Sequence, residues 1–216
     1  MKFPYKKYSI IEDFTIDYNQ SYADAFNKMN LKSLKEIVKI IEKNYLNKNN
    51  KIIVCGNGGS AALANHFACD HQKILSEIKK LRPVVISLCS NTPLITAISN
   101  DISYVSVFSE QINQIGNRGD ILITISSSGN SQNIVNAIKS AKIKKIKTIS
   151  LTGFDGGRSK KIANFNLHFE SKNYGIIETL HHTVINLVSQ FIRNKYLTED
   201  KIKITKFWLI QIHHDD

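Results

Sequence analysis

Proline, cysteine, tryptophan and arginine are all scarce in this chain. Three prolines and ten glycines among 216 residues leave no proline- or glycine-rich stretch to serve as a linker. No internal repeat breaks the sequence, so a single domain is expected, with room for a helical extension. The three cysteines, Cys55, Cys69 and Cys89, form no CxxC pair. An odd count without metal-ligand spacing excludes a disulfide framework and fits a reducing compartment, with the cysteines as small buried residues. No apolar run is long enough to span a bilayer. The segment Met1 to Tyr8 is basic and aromatic and lacks the apolar core of a signal peptide, so a cytoplasmic location is expected and no membrane partner.

Arginine occurs only as Arg82, Arg118, Arg158 and Arg193, although the formal charge is +11. The excess is therefore lysine. A nucleic-acid groove would interleave arginine with aromatics to read bases and stack on them. That pattern is missing, so the lysines are expected to be solvated and nucleic acid is not expected as a partner.

Hydrophobic residues make up 42% of the chain, enough to bury a core. Apolar residues recur at helical spacing through Phe14 to Asn47, which predicts two helices. Short β-branched runs at Lys51–Cys55, Val84–Leu88, Asp120–Ile125, Lys147–Leu151 and Asn166–Phe169 predict strands. Between them, Ala61–Leu75, Thr92–Asn100, Tyr104–Ile115 and the stretch containing Ile134, Ala137, Ile138 and Ala141 predict helices, as does Glu178–Arg193. Alternating strands and helices predict an α/β fold, a parallel sheet covered on both faces. Ligands of such sheets sit beyond the carboxyl ends of the strands.

Two loops lie at such ends. Gly56-Asn57-Gly58-Gly59-Ser60 follows the first strand. Ser126-Ser127-Ser128-Gly129-Asn130-Ser131 follows the third and carries four hydroxyls in six residues. Each opens a helix, whose free N–H groups and partial positive charge suit a phosphate. Glycine lets the backbone approach, and serine donates to phosphate oxygens. Neither loop contains GK[ST], and the first lacks the spacing of a dinucleotide loop. A phosphorylated small molecule is therefore expected rather than a nucleotide.

The stretches CGNGGSAALANHFACDH, SNDISY, ISSSGNSQNIVNAI and LTGFDGGRSKKIA resemble the phosphoheptose isomerase family of the sugar isomerase (SIS) fold, over roughly Ala25 to Arg193. The resemblance implies a three-layer, flavodoxin-like fold and a homotetramer with a sugar-phosphate site shared between subunits. It implies one SIS domain over residues 1–197, with an N-terminal helical extension. The implied reaction interconverts sedoheptulose 7-phosphate and a D-glycero-D-manno-heptose 7-phosphate, for lipopolysaccharide or capsule. Asn57, Gly58, Gly59 and Ser60, with Asn100 and Asp101, would contact substrate. Ser126, Ser127, Ser128 and Ser131 would contact its phosphate.

The acid–base positions depart from the family. Its catalytic glutamate is Asp70 here, four residues after His66. Its glutamine and histidine, eight residues apart on the last helix, are Glu178 and Asn186. An aldose–ketose isomerisation needs a base near C1 and C2 and a second acid or base for the oxygens. Asp70, Glu178 and His182 are the candidates, with His182 one turn from the lost histidine. His66, Asp70, Glu178 and His182 could together ligate zinc or another divalent metal. Asn186 equally suits a non-catalytic SIS protein that binds a sugar phosphate, such as one that assists a replication initiator. The segment 198–216 lies outside the resemblance and reads as a strand or packing arm.

Overall fold

A computed structural model describes residues 3–199. Two helices open the chain, α1 (Ile11–Asn27) and α2 (Leu31–Tyr45). Strand β1 (Ile52–Gly56) leads into α3 (Gly59–Leu75) and β2 (Val85–Ser87). Helices α4 (Thr92–Asp101) and α5 (Val107–Ile115) follow, joined by a 3₁₀ turn over Tyr104–Ser106. The remainder alternates as β3 (Ile121–Ser126), α6 (Gln132–Ile143), β4 (Lys147–Thr152), α7 (Gly157–Ile162), β5 (Phe165–His168) and α8 (Tyr174–Tyr196). The single helix expected over Tyr104–Ile115 is thus a 3₁₀ turn followed by an α-helix, and α7 has no counterpart in the apolar periodicity. Most of the 198–216 segment falls outside the described residues.

The five strands pair in the order β2-β1-β3-β4-β5, every pair parallel. Both faces are covered. Ile52, Val54, Ile121, Ile123 and Ile125 point to the layer of α2, α3 and α8. Ile53, Cys55 and Leu122 point to the layer of α4, α5 and α6. This strict alternation is the period-two geometry of a strand, and burial on both faces explains why the runs are apolar at every position. Cys55 is buried as expected, and burial pushes its thiol upward. Cys69 is exposed instead, because helical spacing places it on the outer side of α3.

The topology fixes where a ligand can sit. From β1 the chain runs outward to β2 and then crosses back to β3 on the other side of β1. The switch point lies between β1 and β3, where Gly56, the last residue of β1, pairs in register with Ile125, one residue before the end of β3. The two loops read from the sequence therefore emerge side by side, at the crevice where open parallel sheets bind ligands.

Candidate active site

The first loop turns into α3 at Gly58, which has φ 54 with nothing near its missing side chain. The next residue is glycine for a different reason. A Cβ on Gly59 would come within 2.8 Å of the Glu178 carboxylate. Glu178 thus stands against the start of α3, at the mouth of the loop. Asn57 is fixed from two directions. It exchanges reciprocal amide hydrogen bonds of 2.9 Å with Asn133 of α6, and it accepts a 3.0 Å bond from the Tyr104 hydroxyl. Asn133 and Tyr104 were not singled out by the sequence. Only the folded chain brings them to Asn57. Asn100 and Asp101 bond to each other at the exposed end of α4, and neither touches the two loops directly.

The serine loop divides its hydroxyls between structure and ligand. Ser126 Oγ accepts the Gly129 N–H at 3.2 Å and is buried. Ser127 is buried with its hydroxyl unpartnered. Ser128 Oγ accepts the Asn130 N–H at 3.3 Å and stays half-exposed. Ser131 occupies the N-cap of α6 but makes no side-chain cap bond, so its hydroxyl remains free beside the helix N-terminus. Arg158 of α7 anchors the same loop by donating to Gln132 Oε1 at 2.8 Å.

Farther along α3 the acid–base residues gather around His66. Its Nε2 lies 3.1 Å from Asp70 Oδ2 and 3.2 Å from Asn186 Oδ1. Both partners are acceptors, so Nε2 carries the hydrogen. His182 packs edge-on against the His66 ring, with centroids 4.5 Å apart. Its Nε2 is buried without a partner, whereas the His66 side chain is 39% exposed. Both side chains are partly buried, and His182 meets His66 by ring packing rather than through a hydrogen bond to Asp70 or Asn186. Adjacent His181 turns the other way and is fully buried, against Phe169. Burial pushes its pKa down to about 4.

The expected metal set is not assembled within one chain. Among the described residues, no three His, Cys, Asp or Glu side chains gather closely enough to hold a metal ion. Glu178 and His182 lie one turn apart on α8 but meet different parts of α3. Glu178 meets Gly59, while His182 and Asn186 meet His66.

From Gly59 to His66, α3 advances about 10 Å at 1.5 Å per residue. Asp70 lies four residues farther, about 16 Å from Gly59 along the helix axis.

Comparison with known proteins agrees with this geometry. The family described as SIS domain matches residues 16–153. A probable phosphoheptose isomerase of Thermoplasma acidophilum is 41% identical over 172 residues, covering 78% of this chain and 93% of that protein. The phosphoheptose isomerase of Helicobacter pylori strain P12 is 39% identical, covering 78% and 89%. The chain belongs to the phosphoheptose isomerase family. Among solved structures, the phosphoheptose isomerase of Neisseria gonorrhoeae superposes with a TM-score of 0.76 at 29% identity, covering 85% of this chain and 97% of that one. As a family member the chain keeps the serine loop, while asparagine stands at position 186.

Proposed function

We propose that this chain interconverts sedoheptulose 7-phosphate and D-glycero-D-manno-heptose 7-phosphate, in the cytoplasm, as a homotetramer supplying heptose for lipopolysaccharide or capsule. The observation that carries this reading is the pairing of Asp70 with a half-exposed His66 in a chain whose serine loop keeps a free hydroxyl at a helix N-terminus. Substrate phosphate sits on Ser128, Ser131 and the N-terminus of α6, whose partial positive charge favours it.

Asp70 is the base. His66 donates Nε2–H to Oδ2 and leaves Oδ1 for substrate. Asp70 takes a proton from C1 of the ketose, the C1–H electrons form the C1=C2 double bond, and the carbonyl oxygen at C2 becomes the enediol oxygen. Returning a proton to C2, with loss of the proton on O1, completes the aldose. His66 moves the oxygen-bound protons through its second ring nitrogen. Asn186 cannot transfer a proton, and it holds His66 in place instead. Among the described residues no three candidate donors converge, so no step is assigned to a metal.

The test is a proton NMR assay of purified protein with sedoheptulose 7-phosphate, with and without added zinc. Appearance of aldose signals at equal rates under both conditions is expected. Binding without turnover under either condition would replace the enzyme with a non-catalytic sugar-phosphate-binding protein, the reading that Asn186 favours.

A further inference from the structure

A cavity of about 450 Å³ opens at the opposite pole of the sheet. Its wall includes Ile121 and Lys147, the first residues of β3 and β4, so it lies at the amino ends of the strands, away from both loops of the active site. Five cations line it: Lys39, Lys43, Arg118, Lys145 and Lys147. Among the described residues, no aspartate or glutamate does. The nearby carboxylate, Asp120, is fully buried and committed to Lys51 at 2.7 Å, so it does not offset the ring. One cation is held there against backbone preference. Lys145 adopts φ 59, a turn that glycine makes without strain, and the lysine keeps its charge on the rim.

The rest of the lining narrows the ligand. Asn44, Asn47 and Asn50 add amides that both donate and accept. Asn44 is only 4% exposed and its Oδ1 has no partner. Among the described residues no aromatic lines the cavity, so they offer no platform on which a base could stack. A phosphate monoester carries about 1.5 to 2 negative charges at neutral pH, fewer than the five positive charges around the cavity. Cations for more than one phosphate, amides for hydroxyls and no stacking surface describe a sugar bisphosphate.

We propose that this cavity is a second ligand site, separate from the active site, that binds a sugar bisphosphate. The cationic ring holds the two phosphates and the asparagines hold the hydroxyls. The site does not depend on the isomerase reading, since it shares no residue with it.

Calorimetric titration with fructose 1,6-bisphosphate tests this. Wild type should bind it, and Ser128→Ala/Ser131→Ala, which disables the active-site phosphate loop, should bind it with unchanged affinity. Lys43→Ala/Arg118→Ala should weaken binding by roughly tenfold or more, since charge-assisted bonds to phosphate are lost. Both of its side chains are exposed. Lys145→Gln/Lys147→Gln should do the same and guards against misfolding of the first variant. The proposal is overturned if binding disappears in the serine variant and survives both cation variants, or if wild type does not bind at all. It is also overturned if a short DNA duplex displaces the bisphosphate at 150 mM salt, about physiological strength, since the ring would then be a nucleic-acid surface.

Discussion

At the scale of single residues, the serine loop shows that hydroxyls of one type have different duties. Ser126 Oγ is buried on the Gly129 N–H, and Ser131 Oγ, partly exposed, makes no cap bond. Replacing Ser131 with alanine should therefore weaken sugar-phosphate binding by about 10- to 100-fold, for the loss of one charge-assisted bond of roughly 1.5–3 kcal/mol, with an unchanged melting temperature. Ser126→Ala should instead destabilise the fold by about 1 kcal/mol through the lost loop bond. Calorimetry and thermal melts separate the two, and equal effects in both variants would contradict this division. Around His66, three variants should rank in order. His66→Ala should be most damaging to turnover, His182→Ala should cost less because it only supports the ring, and Asn186→Ala should cost least. From the sequence, His182 looked like the replacement acid–base group because it sits one turn from Asn186. The contact between His66 and Asn186 spans 120 residues and leaves no trace in local spacing.

At the scale of elements, the buried strands were legible because burial on both faces demands continuous apolar runs. Lys51–Cys55 is such a run, and β1 falls on it within one residue at each end. Helix α7 was not legible. Its residues Gly157–Ile162 carry no apolar period, and the helix exists because Gly129 and Gly156 allow the serine loop to pack against it. A Cβ on Gly129 would lie 2.1 Å from the Gly156 carbonyl oxygen. The helices α3 and α8 also bury two histidines whose cost could not be read from composition. His71 is fully buried and hydrogen-bonded to the Tyr45 hydroxyl, and burial pushes its pKa to about 3. His181 is pushed to about 4 by the same cause. Both values lie below the unfolded value of 6.5, so below pH 6.5 the unfolded chain binds more protons than the folded one. Stability should be fully present above that pH and should fall as pH drops toward 4 and then 3. At about 1.4 kcal/mol per pKa unit, the two together come to roughly 8 kcal/mol at most. Melting temperatures between pH 7 and 4.5 should decline, and His181→Leu should make the decline shallower. An identical slope in that variant would contradict the assignment.

At the scale of the whole molecule, the two ends of the sheet divide the work, with serine loops at the carboxyl ends of the strands and a cationic cavity at the amino ends. No described helix is long and apolar enough to cross a membrane. Several large apolar side chains nevertheless face outward on the helices of one layer: Ile11, Ile16, Leu31 and Phe191 are each more than half exposed. Such surface is stabilised by covering it, and closed symmetric assembly is the usual way. Light scattering at micromolar concentration should give a multiple of the 24.5 kDa chain mass, four-fold by family likeness, and a monomer mass would contradict it. The central claim remains the carboxylate beside His66, shorter by one methylene than the family's glutamate. Its most direct test compares Asp70→Asn with wild type on sedoheptulose 7-phosphate, measuring turnover by NMR and affinity by calorimetry. Turnover should fall by ~10²–10⁴-fold while affinity stays within a few-fold, because the amide keeps the shape and loses the basicity. Full turnover by Asp70→Asn would show that the proton is taken elsewhere.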